Sequence, residues 1–347
     1  MAKPGNRSAA MLHLVVRRGA TALPSLFGVI IVAFALTRAL PSDPAAYFAG
    51  PAATQEAIEE IRLKLGLDRS LPMQFLAFVG ELAQGSFGQS LTTGQPVLQD
   101  IVRRLPASLE LTLFGLFFSV VIALPLGVLA ATHPNSVIDH ACRVISTAGV
   151  SLPVFFTGLL LVYVFYYLLG WAPAPLGRLD SFSTAPPHLT GFFTIDSVVR
   201  GDYQLLATTL AHLILPAMTL GIFALAPLAR MTRASMLGVL SSDFIRTARA
   251  SGLSRHTILL VYAFQNAMLP VLTTMGMVFS FLLGANVVVE RVFSWPGIGS
   301  YALEALIASD YAPVQGFVLT LAVLYVMLNL CIDIAYGLVD PRVRMEG

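Results

Sequence analysis

The sequence predicts an all-α membrane protein with six transmembrane helices, and three observations carry that prediction. Of its 347 residues 56% are hydrophobic and 12% charged, with a mean hydropathy of +0.77. That composition lies outside the range of soluble domains. Six charge-free runs, at 19–37, 111–138, 144–177, 203–229, 257–289 and 311–332, are long enough at about 1.5 Å per helical residue to cross about 30 Å of hydrocarbon. The basic residues also fall on one side of such a six-helix arrangement. With the N-terminus inside, Lys3, Arg7, Arg17, Arg18, Arg143, Arg230, Arg233, Arg246, Arg249, Arg255, Arg342 and Arg344 are all cytoplasmic, against Asp139, Asp243, Asp340 and Glu346. Short cytoplasmic loops retain positive charge, so both termini are expected in the cytoplasm.

Residues 1–18 form the cytoplasmic N-terminus and 19–40 the first transmembrane helix. The run 19–37 is longer than a signal-peptide core, and Arg38-Ala39-Leu40-Pro41 follows it in place of a small-x-small cleavage site. Residues 41–96 form an extracytoplasmic loop or cap. It contains one short helical pattern, with Thr54 as N-cap and Ala57, Ile58, Ile61 and Leu65 on one face. Residues 82–99 are free of charge but carry too many Gln, Ser and Thr side chains to be satisfied in lipid. From Val97 to Leu105 an amphipathic pattern suits an interfacial helix, leading through Pro106 into the second span. The core then runs over 97–338, with helices at about 107–131, 144–169, 208–229, 269–289 and 316–338. A Pro-, Gly- and Ser-rich outer loop covers 171–202, a cytoplasmic loop covers 230–268, and 339–347 form a cytoplasmic tail.

Several function classes are excluded by what the chain lacks. The only lysines, Lys3 and Lys64, precede Pro4 and Leu65, so no phosphate-binding Gly-Lys-Ser/Thr loop exists. Neither G-x-S-x-G nor H-E-x-x-H occurs. Cys142 and Cys331 imply no disulfide framework, and the six histidines form no i, i+4 pair. No catalytic residue and no metal site are expected. Glu110, Glu290 and Asp333 lie near the ends of their runs, whereas a proton-coupled pump needs a carboxylate deeper in the membrane. His212, near the outer end of the fourth run, is an intramembrane polar candidate for a pathway role, with a neutral histidine bonded to a neighbouring helix as the structural alternative. The net charge of +2 reflects topology and not a nucleic-acid surface.

One segment stands apart from the lipid-soluble remainder. Residues 241–253 read Ser-Ser-Asp-Phe-Ile-Arg-Thr-Ala-Arg-Ala-Ser-Gly-Leu, small at Thr247, Ala248, Ala250 and Gly252 and basic at Arg246 and Arg249. This suits the docking of a cytoplasmic protein. Together with Asn266-Ala-Met-Leu-Pro270 it resembles the cytoplasmic motif of the dipeptide, oligopeptide and nickel family of ABC importer permeases. The likeness continues in order through Arg104-Leu-Pro-Ala-Ser-Leu-Glu-Leu-Thr-Leu113, Leu124-Pro-Leu-Gly127, Ser151-Leu-Pro153, Leu169-Gly-Trp171, Leu213-Ile-Leu-Pro-Ala-Met-Thr-Leu220 and Thr232-Arg-Ala-Ser-Met236. It ends with Val289-Glu-Arg-Val-Phe-Ser-Trp-Pro-Gly-Ile-Gly299, Asp310-Tyr311 and Asp340-Pro-Arg342. Essentially the whole chain is covered.

The resemblance implies a type I ABC importer permease fold, five core helices plus an added N-terminal one, in a bacterial cytoplasmic membrane. It implies a second homologous permease subunit, two cytoplasmic ATPase subunits that bind ATP and magnesium, an extracytoplasmic solute-binding protein and a peptide substrate. No cofactor is expected in this chain. Asp243, Phe244, Ile245, Arg246, Thr247, Ala248, Arg249, Ala250 and Gly252 become the ATPase-docking residues. Gly252 would end a short helix, and Phe244 or Ile245 would fill a pocket in the ATPase. Where many importers have Glu-Ala-Ala, this chain has Arg246-Thr247-Ala248, a departure the peptide subfamily shares. Candidate path residues are the polar side chains in or near spans, Ser151, Thr219, Asn266, Ser280, Asn286 and Asn329, although such groups also hold helices together. Nickel or another small solute remains an alternative cargo, and a stand-alone channel or secondary transporter an alternative class.

Overall fold

In the computed structural model the described residues are 23–39, 43–50, 52–180, 183–187 and 189–339; the side chains of 148, 150 and 335–339 are not among them. The expected N-terminus 1–18, the start of the first span, His188, Asp340-Pro341-Arg342 and nearly all of the tail lie outside them. So do six of the twelve basic residues used for the orientation, Lys3, Arg7, Arg17, Arg18, Arg342 and Arg344.

The described elements are α1 (Leu23–Ala39), α2 (Pro44–Ala49), α3 (Gln55–Lys64), α4 (Leu71–Ala83), α5 (Val97–Thr132), α6 (Val137–Ser151), α7 (Val154–Leu168), α8 (Phe193–Arg200), α9 (Tyr203–Leu240), α10 (Asp243–Ala250), α11 (Arg255–Val292), α12 (Ile298–Ile307) and α13 (Tyr311–Val339). Apart from a single bridge between Gln89 and Pro96, all regular structure among the described residues is helical. Four helices are long and apolar enough to cross a membrane: Val97–Thr132, Tyr203–Leu240, Arg255–Val292 and Tyr311–Ile334.

Sequence and structure part at three places, each for a local reason. The third charge-free run, expected as one helix over about 144–169, is two. Leu152 is extended at φ −97° and ψ 136° before Pro153, which clashes with a helical predecessor and has no N–H to donate. The first of the two helices starts earlier than the run, at Val137, because Ser136 accepts a cap bond from the Asp139 N–H. The interfacial pattern 97–105 is not a separate segment, since α5 continues unbroken through Pro106. Residues 230–268, expected as a loop, are largely helical. Arg230 and Arg233 end a charge-free run but not α9, whose last turns stay because Met236 is fully buried.

The chain divides into two compact units, one of residues 107–295 and 328–347, the other of residues 1–106 and 296–327. In the first, Leu111, Leu213, Leu220, Leu228, Leu282 and Trp295 anchor the core. Glycines set the approach of α5 to α9: a Cβ on Gly221 would stand 2.5 Å from the Phe118 ring and 2.9 Å from the Gly115 carbonyl oxygen, and one on Gly127 2.6 Å from the Thr232 Cβ. Small residues at such crossings let backbones close together, the usual way apolar helices pack in lipid. In the second unit Val97, Ile101, Ile298 and Tyr301 form a smaller core. Its α3 begins as expected, with Thr54 Oγ1 accepting from the Ala57 N–H at 3.3 Å.

Candidate functional site

The docking segment is the amphipathic helix α10. Asp243 occupies its first turn, where a carboxylate favours the helix dipole. Ile245 and Ala248, one turn apart, are buried against Ala131, Met236, Ile258, Ala263 and Ala267. Phe244, Arg246, Thr247, Arg249 and Ala250 form the exposed face. The helix ends in a Schellman turn: Gly252 sits at φ +76°, its N–H bonds to the Arg249 carbonyl at 3.1 Å, and the Leu253 N–H bonds to Ala248 at 3.4 Å. Gly252 therefore terminates the helix as expected. Ile245 does not project to a partner; its position on the i, i+3 stripe turns it into the chain's own core, which leaves Phe244, 45% exposed, as the free aromatic. Arg246 already has a local acid, Asp243 at 3.3 Å, in a pair that is almost wholly in solvent.

α10 lies against two long helices, α9 and α11, that are also joined to each other. Ser235 of α9 donates to the Ala267 carbonyl of α11 at 2.9 Å. The early part of α11, Ile258–Phe264, is π-helical, with bonds running i to i+5, as is Val162–Leu168 at the end of α7. Such segments are strained and concentrate at functional sites. Nearby, Asp139 is fully buried and accepts from Arg233 Nε and, at 2.8 Å, from Nη2, with Arg143 at 3.6 Å. The Arg233 hydrogen bond holds the Asp139 carboxyl down to about 2. Sequence reading had counted both only as loop charges.

A second buried polar cluster was missed altogether. Glu110 in α5, wholly buried, forms an ion pair with Arg178 of the 171–202 loop and accepts from Thr194 N at 2.9 Å and Thr194 Oγ1 at 2.6 Å. Arg178 also donates to the Gly191 carbonyl at 3.1 Å and stacks on the Phe193 ring, 3.4 Å from its centroid. Asp196 closes the same loop by accepting from Thr190 and Gly191. Two residues before Glu110 on the same helix, Ser108 Oγ donates to Glu290 Oε1 at 2.5 Å. A hint was present, since Glu110 and Glu290 are carboxylates placed directly at the edges of apolar runs. Their partners lie 68 and 182 residues away.

Four of the six path candidates bond within their own helices. Ser151, Thr219, Asn266 and Ser280 each donate to the carbonyl one turn back, on Thr147, Leu215, Tyr262 and Gly276. That is the local bonding polar side chains adopt within helices. Asn286 is buried and donates to the Ser108 carbonyl at 3.0 Å and Thr112 Oγ1 at 3.2 Å, joining α11 to α5. Asn329 is exposed. His212 is buried with Nδ1 2.9 Å from the Thr208 carbonyl and Nε2 3.3 Å from Asp180 Oδ1, so its second contact is the 171–202 loop.

Residues 123–345 match the family described as "Binding-protein-dependent transport system inner membrane component", and residues 11–112 match its N-terminal companion, "Binding-prot-dependent transport system membrane comp, N-term". Among curated relatives, the di/tripeptide transport system permease protein DppB of Pseudomonas aeruginosa is 42% identical over 337 residues, covering 97% of this chain and all of that protein. The probable D,D-dipeptide transport system permease protein DdpB of Escherichia coli is 40% identical over 320 residues, 92% of this chain and 94% of its own. The glutathione transport system permease protein GsiC of Escherichia coli is 36% identical over 336 residues, with 97% and 100% covered. Among solved structures, the inward-facing MetNI methionine ABC transporter superposes with a TM-score of 0.52 at 18% identity, over 70% of this chain and 97% of that one, a likeness of fold alone. These relatives are permease subunits, not enzymes in themselves, and the chain is a membrane protein that belongs to the family of binding-protein-dependent transport system inner membrane components.

Proposed function

We propose that this chain is one permease subunit of an ABC importer that carries di- and oligopeptides across the cytoplasmic membrane. The observation that carries the reading is α10: a short helix glued to the chain by Ile245 and Ala248, capped by Gly252, and presenting Phe244, Arg246, Thr247, Arg249 and Ala250 to solvent between two long apolar helices. Relatives whose names specify dipeptides, tripeptides and glutathione supply the cargo class.

In this reading the chain spans the membrane six times with both termini inside. A homologous permease forms the other half, two ATPase chains bind ATP and magnesium, and a solute-binding protein delivers peptide from outside. Phe244 fills a pocket in the ATPase, and Arg246 and Arg249 pair with its carboxylates. Closure of the ATPases displaces α10 as a rigid body, because Ile245 and Ala248 are packed and not free to slide. The displacement passes into α9 through Met236 and into α11 through Ser235 and Ala267, and shifts the population between inward-open and outward-open states. The Glu110–Arg178 pair holds the outer loop to α5 while this happens. A peptide presents dispersed backbone donors and acceptors, so its passage does not require a convergent set of polar side chains.

Uptake of labelled di- and tripeptides, with nickel in parallel, in cells lacking this gene and complemented by wild type or by Phe244→Ala is the direct test. Peptide uptake restored by wild type alone, with both proteins in the membrane, supports the reading. Peptide uptake that is indifferent to deletion removes the cargo assignment, and full activity of Phe244→Ala removes the docking assignment.

A further inference from the structure

Within the unit that contains α1 to α4, a cavity of ≈ 430 Å³ lies between the end of α3, α4, the 88–91 segment and the start of α13. Two charged side chains in its wall are each tethered on one side and keep one atom unused. Arg38 is clamped between the Phe34 and Tyr311 rings, 4.9 Å from each centroid, and its Nε donates to Gln74 Oε1 at 2.8 Å. Gln74 is itself fixed by a 2.8 Å bond to the Arg69 carbonyl. Arg38 Nη1 is buried and has no acceptor. Asp310 is 1% exposed. Its Oδ2 accepts from Ser90 Oγ at 2.9 Å, Thr92 N at 3.0 Å and Thr92 Oγ1 at 3.1 Å, while Oδ1 is buried and accepts from nothing.

Buried polar atoms are almost always bonded, and the exceptions call for an explanation. Here one exception is a donor on a tethered cation, the other an acceptor on a tethered anion, and both border one cavity. A simple cation would satisfy Asp310 and leave Arg38; a simple anion would do the reverse. A zwitterion satisfies both, through charge-assisted bonds that are stronger than neutral ones. The aromatic clamp leaves only the edge of the Arg38 guanidinium to present, and that edge is the geometry a carboxylate accepts. The volume falls in the range of small-molecule sites.

We propose that this cavity binds a small zwitterion, with its ammonium group on Asp310 and its carboxylate on Arg38, and that the ligand is a free di- or tripeptide. The proposal rests on the peptide-importer reading and on residues 41–96 facing outside, and it adds a peptide site on the permease itself. Binding turns each side chain slightly, to bring its unused atom to the cavity surface.

The test uses the full chain assembled with its permease and ATPase partners in nanodiscs, without the binding protein, and equilibrium dialysis of labelled Ala-Ala, N-acetyl-Ala-Ala and Ala-Ala-amide. Ala-Ala should bind saturably, and loss of either terminal charge should weaken binding at least tenfold. Asp310→Asn should weaken Ala-Ala by a similar factor while leaving the acetylated peptide unchanged, and Arg38→Gln should do the same for the amide. The comparison of the three peptides is made on wild type, so a misfolded variant cannot imitate it. Equal binding of all three, no saturable binding, or binding that appears only with the binding protein present overturns the proposal. Uptake of Ala-Ala by the complete importer separates the two readings: uptake without such a site removes this proposal alone, and absence of both removes the importer reading as well.

Discussion

The docking helix α10 and the Glu110–Arg178 cluster belong to the same compact unit and use charge in opposite ways. Around α10 the charges are almost fully in solvent, and the one ion pair, Arg246 with Asp243, is screened and of little energetic weight. Around Glu110 the charges are buried, paired and hydrogen-bonded to backbone groups of the loop they hold. A surface meant to exchange partners must leave its polar groups ready for new ones. A loop meant to stay in place needs its charges paired, because an unpartnered charge in the interior is costly. In the proposed importer this difference separates a part that moves from a part that keeps its shape.

Breaking the buried pair should give the largest effect. Arg178→Ala leaves Glu110 without its cation, and loss of one partner of a buried pair costs about 3–5 kcal/mol. The purified protein should melt at a markedly lower temperature, and the double variant Glu110→Gln with Arg178→Met should recover part of the loss. An unchanged Tm for Arg178→Ala would show that the loop does not depend on the pair. Gly127→Ala comes next. It forces a Cβ to within 2.6 Å of Thr232 and 2.9 Å of the Ala229 carbonyl, an overpacking that costs about 1–3 kcal/mol, whereas Gly238→Ala on α9, where nothing stands within 4 Å, should hold Tm or raise it slightly.

Asp139 sits between the two extremes, buried but close to the docking helix's end of α9. Asp139→Asn should lower Tm by removing the Arg233 clamp. Its carboxyl is depressed from 3.8 to about 2 by that arginine, so the stabilisation is complete above about pH 4 and is lost only as pH falls through about 2. A thermal scan of wild type against Asp139→Asn should therefore show a constant difference from pH 5 to 8. The smallest stability effect belongs to Phe244→Ala, which should leave Tm within error while abolishing peptide-stimulated ATP hydrolysis in the assembled importer. A fall in Tm equal to that of Ile245→Ala would mean that Phe244 is core and not docking surface.

How much of this was legible follows the range of the interactions. Thr54 and Gly252 were readable because a cap and a helix stop are decided within a few residues. The choice between Phe244 and Ile245 stayed open because the 241–253 segment was read for its small and basic residues, and the i, i+3 stripe that buries Ile245 was not followed into the chain's own core. The break at Leu152-Pro153 was visible as a motif but was overridden by counting uncharged residues, which measures lipid solubility and not helix continuity. Glu110 with Arg178, and Ser108 with Glu290, were not legible at all. Nothing local distinguishes a carboxylate that meets a distant partner from one that ends in solvent.

The π-helical stretch Ile258–Phe264 has a consequence for phase. A run of i to i+5 bonds holds one residue more than the α-helix of the same reach, and each residue of an α-helix turns the chain by about 100°. Deleting one of its exposed residues, Leu260 or Val261, would straighten the helix and spare Ile258 and Ala263, yet it would swing α10 by about that angle relative to the far end of α11, and turn Phe244 with it. The azimuth of the docking surface is thus written in the length of a segment that touches no partner.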